Sequence, residues 1–316
     1  MLVLTRSQVE EVLDLDALVD AVAAAQADLS AGAASMPPRI AALVGEQDGL
    51  LGVMPAYLPS AGLACKLVTL FPRNRDRHTH QAAIMVFDPA NGSPVALMDG
   101  TYITATRTAA ASALATRLLA REDASVLAVL GSGVQAQSHG RALARVRDFG
   151  EVRVAARDRE KAEALAAELG GRAVASWQEA LDGADVVAAA THADQPVVRR
   201  EWLSPGVHVN SVGLNQGGRE VDAATVAEAL LVVESRASSL APPPAGAPEL
   251  VGIAPEAVHA ELGELVRGEK SGRTSADQIT LYKSVGVAVQ DVAAAALVLE
   301  AARARRIGTD IDLGAE

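Results

Sequence analysis

The run SVLAVLGSGVQAQSHGRALARVR constrains this chain more than any other part of it. An apolar stretch leads into Gly131-Ser132-Gly133-Val134-Gln135-Ala136, and the pattern of an amphipathic helix follows. In a G-x-G-x-x-A turn, Gly131 permits the tight reversal after a strand and Gly133 lets backbone approach a pyrophosphate. Ala136 allows the helix to pack closely on the sheet. The helix start then offers unsatisfied N–H groups to phosphate oxygens. Such a motif alone is weak, but here a strand precedes it, a helix follows, and a second strand ends at the right distance downstream. The reading is a dinucleotide-binding Rossmann unit with Gly131, Ser132, Gly133, Val134 and Gln135 around the pyrophosphate.

The flanking pattern agrees. EVRVAAR reads as a strand, DREKAEALAAELG as a helix, AVAS and WQEALDGA as a further pair, and DVVAAAT, HVNSVG and ALLVVES as strands. Strands alternating with helices imply a parallel sheet with right-handed crossovers. Before Ala105 the period differs. Thr5 and Gln8 form a capping box ahead of VEEVLDLDALVDAVAAAQADLSAG, one or two helices ending near Gly32. LGVMPAYL, ACKLVTL, AAIMVFD and SPVALMDG are short strand-like runs, the last two separated by Asn91-Gly92, a hairpin signal. An antiparallel sheet domain is expected there. The helical character begins near Ala105. SSLAPPPAGAP reads as a surface loop, and TLYKSVGVAVQDVAAAALVLEAARARR as one long helix packing back on the first domain.

The expected fold is therefore α/β, a doubly wound Rossmann domain over 116–289 plus an α+β domain over 1–115 with 290–316. A chain of 316 residues is long enough for two cores. Half of it is apolar but only 3% is aromatic, so Ala, Val and Leu must do the packing. A net charge of -11 argues against nucleic acid or an anionic membrane as main partner. Cys65 is the single cysteine, which excludes an intrachain disulfide and suits a reducing compartment. The N-terminus has no signal-peptide pattern, and no apolar run approaches the roughly 20 residues of a bilayer span. A cytoplasmic protein is expected.

Cofactor choice is read where the second strand of the Rossmann unit ends, at Ala155-Ala156-Arg157-Asp158. A carboxylate there suits the ribose 2′-hydroxyl of NAD, whereas a guanidinium suits the 2′-phosphate of NADP. Arg157 falls at that place and favours NADP over NAD; Asp158 is the ribose partner if the register slips by one.

Substrate candidates stand out by context. Lys66 interrupts the strand ACKLVTL on the face of Ala64 and Val68. Arg39 follows two prolines, Arg107 sits in TATRTAAASA, and Asn215 follows the Val-Gly turn after HVNSVG. Each alone reads as a solvated polar group; together, two arginines and a lysine would grip a carboxylate and supply a proton. His78 and His80 would share one strand face, but no further ligands complete a metal set, so a pocket role for His80 is favoured and no metal is expected. Cys65 reads as a small core residue on the face opposite Lys66.

The segments MPPR, CKLVTLFP, LMDGTYITATRTAAASALA, LGSGVQAQ, VNSVG and TLYKSVGVAVQD together resemble the ornithine cyclodeaminase and mu-crystallin family, nearly end to end. The resemblance implies a homodimer whose N-terminal domain binds substrate and carries the interface. It assigns Arg39 and Arg107 to the substrate carboxylate and Lys66 to catalysis. It places Gly131, Gly133 and Gln135 at the pyrophosphate, Thr191 and Val212 at turns lining the cofactor, and Lys283 and Ser284 beside the nicotinamide. Family members that deaminate amino acids carry an aspartate where this chain has Asn215, which hydrogen-bonds but takes no proton at neutral pH. The expectation is an NAD(P)H-dependent reductase of a small cyclic ketimine carboxylate, with Lys66 and Asn215 at the chemistry. Alternatives are an ornithine cyclodeaminase, an amino-acid dehydrogenase resembling alanine dehydrogenase, and a non-enzymatic cofactor-dependent ligand carrier.

Overall fold

The computed structural model describes residues 1–314 apart from 214, 216, 243 and 244. The chain forms two compact units, Met1–Arg107 with Val287–Glu316, and Thr108–Gly286.

The first unit opens with β1 (Leu2–Leu4), α1 (Arg6–Val12) and α2 (Leu15–Ser30). The Thr5–Gln8 capping box starts α1, and the Asp14 carboxylate caps α2. Then β2 (Ile40–Val44), β3 (Gly49–Leu58), β4 (Gly62–Leu70), β5 (His80–Phe87) and β6 (Pro94–Asp99) pair antiparallel in succession, and β1 lies parallel to β6. The Asn91-Gly92 turn lies between β5 and β6 as its chemistry dictates, with Gly92 at φ +78°.

Helix α3 (Gly100–Leu119) starts five residues before Ala105, because the Asp99 carboxylate accepts the Tyr102 N–H at 2.7 Å and caps it. It carries the chain from one unit into the other at Arg107 and Thr108.

The second unit holds β7 (Val126–Leu130), α4 (Val134–Leu143), β8 (Glu151–Ala155), α5 (Arg159–Glu168), β9 (Arg172–Ala173), α6 (Trp177–Leu181) and β10 (Val186–Ala189). Next come β11 (His208–Ser211), α7 (Ala223–Glu228), β12 (Leu230–Val233), α8 (Arg236–Ser239), β13 (Ala260–Glu261), α9 (Leu262–Val266) and β14 (Thr280–Lys283). The eight strands run β13-β12-β14-β11-β10-β7-β8-β9, and every neighbouring pair is parallel. The order reverses between β7 and β10, where a doubly wound sheet binds its ligand.

The chain then returns to the first unit as α10 (Ala288–Arg305) and β15 (Thr309–Asp310), which pairs antiparallel with β1. Here the expectation of one long helix from TLYK onward fails. Thr280–Lys283 is a strand hydrogen-bonded on both sides, buried throughout, and Gly286 at φ +71° separates it from α10. A four-residue strand buried on both faces has no alternation to betray it, and only residues 284–287 separate it from the helix pattern.

Two other expectations need correction. The Pro-rich segment is not a surface loop throughout: Gly246, Ala247 and Pro248 are buried, because the chain folds back so that Ala247 N–H donates to Ser239 O at 3.0 Å. Pro243 and Pro244 lie outside the described residues. Cys65 is half-buried rather than a core residue. It faces outward with Ile40, Val44, Leu51, Tyr57 and Leu67, all of which the register of β2–β4 puts on one face of the sheet.

Candidate active site

In the first unit, strand alternation drives one charge inward. Lys66 in β4 lies across from Met54 of β3 and Ile84 of β5, on the buried face, while Leu67 points out. The helix α10 packs on this sheet. Its Asp291 carboxylate takes Lys66 Nζ at 2.8 Å on Oδ2 and Arg107 Nε at 3.0 Å on Oδ1. Gln290 Oε1 accepts Arg107 Nη1 at 2.6 Å. Lys66, Arg107, Gln290 and Asp291 are all buried.

Burial pushes the Lys66 ammonium down to about 7; the Arg107 and Arg39 charges push the same way and Asp291 opposes them. Burial alone would raise the Asp291 carboxyl, yet Arg107 and Lys66 beside it hold it below the ordinary aspartate value. His80, at the start of β5, is driven down to about 4, first by burial and then by the Lys66 and Arg107 charges, so it is neutral at pH 7. The structure thus brings Lys66, Arg107, His80 and Arg39 into one electrostatic neighbourhood. Its own acid is already in place. Three cations against one carboxylate form an anion receptor, and an amine poised near neutrality can give or take a proton.

His78 does not share a strand face with His80. It precedes β5 in an exposed loop, its Nε2 3.4 Å from Arg6 Nη1. Among the described residues no cluster of three metal-ligating side chains occurs.

In the second unit, Gly131 sits at φ +114°, and a Cβ there would lie 2.5 Å from Ala190 O, so only glycine fits. Gly133 has φ -87° with nothing within 4 Å of an added Cβ, which leaves open space above the turn. Val134 begins α4 and is exposed, Ser132 is half-buried, and Gln135 Oε1 is buried without a partner. An open turn, the free N–H groups of a helix start and an unused amide oxygen fit a pyrophosphate-bearing cofactor.

Where β8 ends, Asp158 caps α5: Oδ1 accepts Lys161 N–H at 3.2 Å and Oδ2 lies 3.3 Å from Lys161 Nζ. Arg157, next to it, is exposed.

The turns after β10 and β11 are tied to one buried acid that sequence reasoning missed. Glu220 Oε1 accepts Thr191 N–H at 2.6 Å and Thr191 Oγ1–H at 2.8 Å; Oε2 accepts Ser211 Oγ–H at 2.7 Å and Gly213 N–H at 2.8 Å. Thr191 and Val212 therefore sit on turns held by Glu220. Lys283 is not an open cofactor contact: its Nζ donates to Gly213 O at 2.7 Å and Ser211 Oγ at 3.1 Å and pairs with Glu249 at 3.3 Å. Ser284 donates to buried Glu234 at 2.6 Å. Both side chains face inward. Asn215 is also engaged, donating to Asp194 Oδ1 at 2.9 Å and Ala193 O at 3.2 Å while accepting Gly217 N–H at 3.1 Å. Its amide braces two loops rather than standing free for chemistry.

Asp291 could have been found from sequence, since a lone acid within the apolar VAVQDVAAAALVL must be paired if buried. Glu220, Glu234 and Glu249 carry no such signal.

Comparison with known proteins sets this geometry beside others. The model of the ornithine cyclodeaminase/mu-crystallin family matches residues 1–306. The ketimine reductase mu-crystallin of Mus musculus is 42% identical over 275 residues, covering 85% of this chain and 86% of that one. The structure of Thermococcus litoralis Δ1-pyrroline-2-carboxylate reductase in complex with NADH and L-proline superposes with a TM-score of 0.93 at 36% identity, covering 98% and 100% of the two chains. An archaeal alanine dehydrogenase dimer with bound NAD gives 0.89 at 32% identity, covering 99% of each.

Proposed function

This chain belongs to the ornithine cyclodeaminase/mu-crystallin family, and from that premise we propose that it is an NAD(P)H-dependent reductase of a small cyclic ketimine carboxylate. The substrate is of the pyrroline-2-carboxylate or piperideine-2-carboxylate type, and the product is the cyclic amino acid. The observation that carries this reading is the buried array of Lys66, Asp291 and Arg107.

Arg107 and Arg39 bind the substrate carboxylate, to which a guanidinium fork is suited. Lys66 donates a proton to the ring nitrogen. When bound, NAD(P)H supplies the hydride for C2. As the C=N π bond breaks, its electron pair moves to nitrogen and takes the Lys66 proton, which solvent later restores. With a proton affinity near neutrality, Lys66 is matched to this transfer. Neutral His80 lines the same neighbourhood without adding charge. Ser132, Gly133, Val134 and Gln135 would hold the pyrophosphate. Thr191, Val212 and the backbone at Lys283 and Ser284 would line the cofactor, and Arg157 would take a 2′-phosphate, so NADP is preferred. Asn215 positions its loop. With its amide engaged and no carboxylate in its place, it supports reduction over deamination.

A homodimer in the cytoplasm completes the reading. The outward apolar face of Ile40, Val44, Leu51, Tyr57 and Leu67 supports the dimer, as does the dimeric state of the similar alanine dehydrogenase.

The test is a panel of cyclic ketimines, keto acids with ammonia, and ornithine, assayed with NADH and with NADPH. Consumption of reduced cofactor on a cyclic ketimine is expected, faster with NADPH. Ammonia release from ornithine without net cofactor use would replace the reading with a cyclodeaminase, and saturable binding without turnover would replace it with a carrier.

A further inference from the structure

Asp291 holds two of the cations assigned above, yet the reduction itself asks for no resident anion. A substrate carboxylate would suffice to balance Arg107. A buried ion pair is weak evidence for stability, because apolar residues of similar volume commonly serve as well or better. The presence of a carboxylate here, in a helix whose buried side is Ala, Val and Leu apart from Gln290 beside it, therefore needs a chemical reason.

The geometry supplies one. Each carboxylate oxygen takes one cation, Lys66 Nζ at 2.8 Å and Arg107 Nε at 3.0 Å, and the neighbouring Gln290 Oε1 takes Arg107 Nη1 at 2.6 Å. Two consecutive residues of α10 thus fix a lysine on β4 and an arginine on α3. We propose that Asp291 is a positioning residue for the reduction: its bridging carboxylate holds Lys66 and Arg107 as one array and keeps Lys66 charged, so that it can protonate the ring nitrogen. This rests on the reductase reading.

The surrounding charges make Asp291 the only support for that proton among the groups acting on Lys66. Burial, Arg107 and Arg39 all disfavour the ammonium, and Asp291 alone favours it, through its charge and its hydrogen bond. His80 on β5 is neutral, and the cross-strand neighbours Met54 and Ile84 are apolar. Removing the carboxylate leaves Lys66 buried among positive charges, so the amine gives up its proton at lower pH. The alkaline limb of the rate profile reports loss of that proton and must move down. A purely architectural role for Asp291 would lower rates at every pH and leave the limb in place.

The experiment compares wild type with D291N and D291E by kcat/KM against pH for a cyclic ketimine, with reduced-cofactor binding by fluorescence as the check that the nucleotide unit is intact. For D291N the alkaline limb should fall by about one pH unit or more, a loss of about ten-fold or more at pH values above both limbs. D291E should keep its limb within about half a unit but lose kcat, because the longer side chain displaces both cations. A limb unmoved in D291N overturns the proposal. Should D291N not fold, D291E decides, and a wild-type kcat there overturns it equally.

A second arm needs no turnover. Pyrrole-2-carboxylate, a planar anion of the same shape, is titrated calorimetrically at about pH 6.5, near the ordinary histidine range, in two buffers of different ionisation heat. D291N should take up more protons on binding than wild type, since its Lys66 starts more deprotonated; equal counts overturn the proposal. If the two proteins differ in proton uptake while wild type reduces no ketimine, the reductase reading fails and the hold of Asp291 on the Lys66 proton stands.

Discussion

Arg157 and Asp158 show how a single residue's commitments decide its meaning. From the string Ala-Ala-Arg-Asp either side chain could face the ribose. In the fold both Asp158 oxygens are occupied by Lys161, one by its N–H and one by its ammonium, so the polar groups of the helix start claim the acid before a ligand can. Arg157 carries no such obligation and stays exposed. R157A should weaken NADPH about ten-fold, about 1.4 kcal/mol for a lost charge-assisted contact, and leave NADH affinity unchanged. Fluorescence titration with both cofactors reads this, and equal weakening of the two would remove Arg157 from the 2′-phosphate.

At the level of elements, the two glycines of the nucleotide unit that look alike in sequence have opposite jobs. Gly133 lies at an ordinary φ under open space, whereas Gly213 has no room, a Cβ there colliding with Glu220 Oε1 and Thr191 O. G133A should therefore fold with an unchanged melting temperature and lose reduced-cofactor affinity, because only the ligand meets the new methyl. G213A should lose both affinity and stability, by about 1–3 kcal/mol or a few degrees of melting temperature, since the Glu220 bridge between two turns must open. Thermal melts paired with cofactor titrations separate the cases, and a stability loss in G133A would contradict the open turn. The same Glu220 bridge was illegible in sequence. It unites residues from the loops after β10 and β11 that are far apart in the chain, and an acid after a glycine turn looks like any solvated charge.

For the whole molecule, the first unit carries an outer sheet face that water covers poorly, with Ile40 67% exposed and Leu51, Tyr57 and Leu67 each more than a third exposed. Contiguous apolar side chains on one sheet face mark an association surface. The native mass measured by light scattering should be that of two chains, and I40E with L51E should shift it to one. A wild-type monomer at micromolar concentration would end the homodimer assignment. No helix among the described residues is long and apolar enough to cross a membrane.

The sequence by itself determined what depends on local pattern. The glycine turn, the alternating strands and helices, the Thr5 capping box and the Asn91-Gly92 reversal follow from backbone sterics and hydrogen-bond supply within a few residues. The face that Lys66 shares with Ala64 and Val68 followed too, because alternation along a strand has a fixed period. Which face is buried did not: the sequence placed Cys65 in the core, and the packing buries Lys66 instead. Tertiary structure alone decided which charges meet. The buried strand Thr280–Lys283 has no periodicity to separate it from the following helix. The partnership of Lys66 and Arg107 with Asp291 joins β4, α3 and α10, which lie far apart in the chain. Coulomb forces and desolvation act through space rather than along the backbone, so the proton affinity of Lys66 exists only once those three elements pack.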